Sequence, residues 1–71
     1  MEYIERIGDL AVSNFENGRR HMTFGQLGAI LDLTAWQAGQ WVGRAWHHYE
    51  AEGDTYTASC IMFVFRYKDE D

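Results

Sequence analysis

The chain has little of several things, and each shortage excludes something. It holds one cysteine, no proline, and six lysines and arginines against eleven acids. A lone thiol, Cys60, cannot close an internal disulfide, which removes the disulfide-stapled secreted scaffolds and makes a reducing compartment, most simply the cytoplasm, the expectation. Internal repeats and low-complexity tracts are absent, which excludes a solenoid or an unstructured array. Long apolar runs are missing too. The longest, Cys60 to Phe65, falls far short of the roughly 20 residues that a membrane-spanning helix needs. The opening residues, Met1-Glu2-Tyr3-Ile4-Glu5, lack a basic region ahead of an apolar core, so no signal peptide is expected. The shortage of cations leaves a net charge of −5, which at first sight opposes a nucleic-acid surface.

What is present is apolar and aromatic. Of 71 residues, 46% are hydrophobic and 15% aromatic, enough to argue against intrinsic disorder. The length allows one domain, 1–71, near the lower limit for a self-sufficient core, because a chain this short buries only roughly 60% of its unfolded surface.

Apolar periodicity predicts a helix from about Glu2 to Phe15, with Tyr3, Ile4, Ile7, Leu10, Ala11 and Phe15 on one face. Glu2 and Glu5 suit the positive end of its dipole, and Asn17-Gly18 is a good stop. After a basic connector, Arg19 to Met22, Thr23 and Gln26 have capping-box spacing. The helix they open carries Phe24, Leu27, Gly28 and Leu31 on one side and should end near Asp32. Thr34 and Gln37 repeat the box and open a long helix, Ala35 to about Glu50. Its expected apolar stripe is Ala35, Ala38, Gly39, Val42, Trp46 and Tyr49, with Gln37, Gln40, Arg44, His47 and His48 opposite. Two interior glycines, Gly39 and Gly43, each cost about 1 kcal/mol against alanine; close packing contacts would account for them.

The last segment, 56–67, reads two ways. Ala58, Ile61, Met62 and Phe65 have helical spacing, capped by Asp54 or Thr55, whereas the unbroken apolar run suits a buried strand. Only Arg20 to Phe24, or another chain, can pair with such a strand; helix is the favoured reading. The acidic tail, 68–71, should fray. The expected fold is a small all-α domain of three to four helices with a helix-turn-helix core.

The chemistry follows from that core. Gln37, Gln40 and Arg44 share a helix face, and glutamine and arginine have the donor geometry to read adenine and guanine edges. Thr34, at the helix start, is a candidate phosphate donor, as are Arg19 and Arg20 on the connector and His48 on the long helix. The run Thr23-Phe24-Gly25-Gln26-Leu27-Gly28-Ala29-Ile30-Leu31, continued by Val42-Gly43-Arg44-Ala45, resembles the helix-turn-helix segment of the winged-helix family, and locally that of the alkylguanine DNA alkyltransferases. The resemblance implies that the second helix enters DNA. It does not extend to alkyl transfer, because the alkyltransferase Pro-Cys-His-Arg motif is missing around Cys60. Asp32 stands where many such proteins place glycine.

The alternative is an acidic protein-interaction module, a regulator or inhibitor, with Trp36, Trp41 and Tyr67 as anchors. A homodimer is compatible with either reading. No catalytic site, metal or cofactor is expected. His47 and His48 are adjacent and diverge by about 100° on a helix, and Ser13, Ser59 and Cys60 are nucleophiles by type only. Residues 17–49 carry three arginines against Asp32 alone, so the helix-turn-helix is locally +2 while the acidity sits at the two ends.

Overall fold

The computed structural model describes residues 2–19 and 21–66. Along these the order is α1 (Glu2–Glu16), β1 (Met22–Thr23), α2 (Phe24–Leu31), α3 (Ala35–Ala51), α4 (Thr55–Val64) and β2 (Phe65–Arg66). The small all-α domain is thus observed, with four helices. Tyr67 and the tail expected to fray lie outside the described residues, as does Arg20.

Local chemistry sets each helix end. After α1 the chain turns at Gly18 with φ +79°, and the Arg19 N–H closes onto Asn14 O at 2.8 Å. Glycine takes that left-handed conformation at no steric cost. Both capping boxes form. Thr23 Oγ1 accepts from the Gln26 N–H at 3.0 Å while Gln26 Oε1 accepts from the Thr23 N–H at 2.9 Å. The same pair of bonds links Thr34 and Gln37 at 3.1 and 3.0 Å. Between them Asp32 adopts φ +63°. It thereby takes the left-handed conformation that ends many helices, which aspartate tolerates better than most residues. The Leu33 N–H then bonds back to Gly28 O at 2.8 Å.

One cluster of buried side chains joins all four helices: Ile4, Ile7 and Ala11 from α1, Leu27 and Leu31 from α2, Ala38, Val42 and Ala45 from α3, and Cys60, Ile61 and Val64 from α4, closed by Phe65. The core face of α3 differs from the expected stripe. Ala35 is exposed, Gly39, Trp46 and Tyr49 are half-buried, and Ala45 is a core position. The cause is spacing: α3 packs against α1, α2 and α4, so its innermost positions take alanine and valine while the rings are displaced to its flanks.

The final segment takes the favoured helical reading, so the apolar run from Cys60 is helix rather than buried strand as far as Val64, and a two-residue strand follows. Asp54 caps α4, accepting from the Thr57 N–H at 3.1 Å and the Thr57 hydroxyl at 2.8 Å. The helix runs to Val64. Phe65 then leaves the helical region (φ −93°, ψ +129°), and Phe65–Arg66 pairs in parallel with Met22–Thr23, Met22 beside Phe65 and Thr23 beside Arg66. Ala58, Ile61 and Phe65 are buried as expected, but Met62 is 57% exposed, and Cys60 and Val64 fill the core in its place.

Candidate nucleic-acid interface

The α2–turn–α3 unit presents one long outward strip. Along α3, Trp36, Gln37, Gln40, Gly43, Arg44 and His47 are all exposed. Their spacing of three and four is a single face of the helix. Between Phe24 and Tyr49 the sole acid is Asp32, at the joint. The carboxylates Glu50, Glu52 and Asp54 begin only where α3 ends.

The candidate residues separate into those free to bind and those already engaged. Gln40 and Arg44 are exposed on the strip. Arg44 is held in place: its guanidinium carbon lies 4.9 Å from the Trp41 ring centroid, a cation–π distance. Gln37 has its side-chain oxygen committed to the Thr34 N–H and keeps its amide NH₂ as a donor. Thr34 keeps only its hydroxyl hydrogen as a donor. Its N–H donates to Gln37 Oε1 and its hydroxyl oxygen accepts from the Gln37 N–H, so of the expected backbone and hydroxyl donors the backbone one is engaged in the cap of α3. His48 is half-buried with its ring edge-on to Tyr49 at 5.0 Å, whereas His47 is the exposed histidine of the pair.

Arg19 is exposed on the connector and lines a shallow groove with Asn14 and His21 of its own side and Gln26, Ala29 and Ile30 of α2. Neither that groove nor the depression that Arg19 lines with Ser13, Asn14 and Asn17 includes a residue of α3. Arg20, the other proposed phosphate contact, lies outside the described residues, as does the proposed anchor Tyr67.

The remaining two anchors part company. Trp41 is half-buried, its ring 5.1 Å from that of Tyr3, so with Arg44 on it the indole is a structural joint between α1 and α3. Trp36 is 70% exposed at the start of α3, beside a depression of about 220 Å³ formed with Phe24, Gly39 and Gln40. The two glycines inside α3 also differ. A Cβ on Gly39 would come within 2.7 Å of the Phe24 ring, so Gly39 is the contact by which α2 and α3 approach. A Cβ on Gly43 would meet nothing within 4 Å.

The shifted titrations lie away from this strip. Burial pushes the Cys60 thiol up, and burial together with the acids Asp9, Glu5 and Asp54 raises the Tyr49 hydroxyl. Among the described residues no group of three or more His, Cys, Asp or Glu is placed to hold a metal ion, and no helix is long and apolar enough to cross a membrane.

Four exposed apolar side chains were not anticipated as surface features: Ile30, Tyr56, Met62 and Phe63. Only α4 carried a readable signal. An apolar run on every side of a ten-residue helix must leave part of itself uncovered in so small a domain. Comparison with known protein families, with curated proteins and with solved structures finds no match to the chain.

Proposed function

We propose that this chain is a small helix-turn-helix module of regulatory character that binds nucleic acid through α3. The observation that supports the reading is the exposed strip Trp36–His47, which carries Arg44 and two glutamine amides and no carboxylate in a protein of net charge −5. An acidic chain that keeps one helix face clear of acid has the arrangement a polyanion requires, since each carboxylate on that face would repel phosphate. Gln40 and Arg44 supply edge-reading groups one helical turn apart, and Gly43 beside them lets a backbone or a sugar approach the helix closely. Arg19 and Arg20 hold flanking phosphate. The reading assigns no catalytic step.

With so few cations the affinity is modest, in the range of roughly 10⁻⁴–10⁻⁶ M typical of non-specific contacts at physiological salt. Anisotropy of a labelled duplex pool, titrated over a salt series, tests the proposal. Arg44→Ala should weaken binding and relax sequence preference, while Arg19→Ala should lower the salt slope by about one phosphate contact. Gln40→Ala should weaken some sequences more than others. A duplex pool that fails to bind at low salt sinks the reading.

One observation favours the alternative of a protein-docking surface: the 70% exposed indole of Trp36. That surface would lose its partner on Trp36→Ala, show little salt dependence, and be indifferent to Arg44→Ala.

A further inference from the structure

Three of the largest exposed apolar side chains lie on one helix. Tyr56, Met62 and Phe63 of α4 are 50, 57 and 49% exposed. Phe15 of α1 extends the same surface, its ring 5.7 Å from that of Phe63 and 6.4 Å from that of Tyr56. The Tyr56 hydroxyl donates to Glu16 Oε2 at 2.9 Å, which fixes the ring in this position.

Two features say what covers this surface. The first is charge: α4 has no charged residue from Thr55 to Val64. In a two-fold contact every group meets its own image or exchanges with another, so charges near the axis meet like charges. A neutral helix permits such a contact, and it gives a partner of opposite charge nothing to pair with. The second is pattern. Ser59 is exposed and small, Tyr56 and Met62 lie three residues to either side of it, and Thr55 and Phe63 lie four to either side. All five are exposed. At about 100° per residue Tyr56 and Phe63 fall to one side of Ser59 and Thr55 and Met62 to the other, so an antiparallel second copy crossing at Ser59 sets Tyr56 against Phe63 and Thr55 against Met62, twice over. Ring against ring is a favourable pairing.

We propose that α4 is the two-fold interface of a homodimer, its two copies crossing antiparallel at Ser59. A half-exposed aromatic-sized side chain has roughly 100 Å² left to bury. Tyr56, Met62 and Phe63 from two copies supply about 600 Å², and Phe15 with the helix rims carries the total towards the roughly 1,200 Å² at the lower end of specific interfaces. The dimer is accordingly weak and concentration-dependent. It brings two α3 helices into one particle, but its existence does not depend on what α3 binds.

Sedimentation equilibrium over a micromolar concentration series tests it without nucleic acid present. The mass should rise from 8.3 kDa towards twice that value. Met62→Glu and Ser59→Arg, both at exposed positions, should each weaken association by roughly tenfold or more, with the helical circular dichroism unchanged. Ser59→Cys should yield a covalent dimer on mild oxidation, while wild type, whose Cys60 is 1% exposed, should not. A wild-type chain that stays at 8.3 kDa throughout, including one that takes up a different protein on this face, overturns the proposal. So does a dimer indifferent to both substitutions, or a Ser59→Cys variant that does not cross-link.

Discussion

At the scale of single residues, the interior glycines divide by what stands over them. The chain between α2 and α3 folds back across Gly28, where an added Cβ would lie 2.5 Å from Leu33 O and 3.1 Å from Thr34 O. Those atoms are backbone and belong to a capped joint, so they cannot give way cheaply. Gly28→Ala should therefore destabilise the fold by about 1–3 kcal/mol, the usual cost of overpacking, even though alanine is the better helix former. Urea unfolding measures it, and an unchanged midpoint would show that the joint is not packed on Gly28. Gly43 is the opposite case. With nothing near its Cβ position, only helix propensity acts, and Gly43→Ala should stabilise by up to about 1 kcal/mol, raising Tm by several degrees. If the same variant binds duplex more weakly despite the firmer fold, the close approach proposed for α3 is supported; unchanged binding removes it. In the sequence Gly39 and Gly43 look alike, one helical turn apart. What separates them is where the Phe24 ring lands, and no local pattern carries that.

At the scale of elements, the helix starts were legible because a capping box is written in four consecutive residues, and both boxes form as spaced. The end of the chain was legible only as a choice, because its strand exists by virtue of Met22 and Thr23, distant in sequence. The core face of α3 was misjudged for a related reason: the periodicity marks a stripe, but the distances to α1, α2 and α4 decide which apolar residues fit at its centre. The cap of α4 yields a pH prediction. Bonds from the Thr57 backbone N–H and hydroxyl hold the Asp54 carboxyl below its ordinary range. A carboxyl lowered in the folded state contributes stability above its unfolded value, and that contribution is lost as pH falls through the folded value. The first turn of α4 should loosen at that acidic step, seen as faster exchange of the Thr57 amide. Asp54→Asn keeps a capping oxygen and should abolish the step. At the alkaline end Tyr56 is pushed up to about 12 by donating to Glu16, so the link between α1 and α4 holds below the ordinary tyrosine range and is lost as pH rises through about 12.

At the scale of the whole molecule, the architecture sets small branched side chains inside and rings outside. The largest fully buried side chains are Ile7, Leu27, Ile61, Val64 and Cys60, and Phe65 is the one aromatic among the described residues that reaches the core. The aromatic richness that argued for a folded chain thus serves mainly the flanks of the helices and the exposed face of α4. Cohesion rests on a compact cluster in which Cys60 is a full member, and this makes its thiol a probe of global opening. Alkylation requires thiolate and access. Burial denies both by raising the thiol and covering it. Since α4 packs against both α1 and α3, exposing Cys60 means detaching a helix that shares the core with each of them. Wild-type alkylation should consequently be slow under native conditions and accelerate with denaturant in step with global unfolding. A Ser59→Cys variant, studied dilute and reduced, supplies the control: a thiol one residue away, on the exposed side of the same helix, should react promptly and only once. Equal rates at the two positions would mean that α4 leaves the core without the rest of the molecule unfolding. That outcome would take the shared four-helix core down to three helices with a loosely attached fourth.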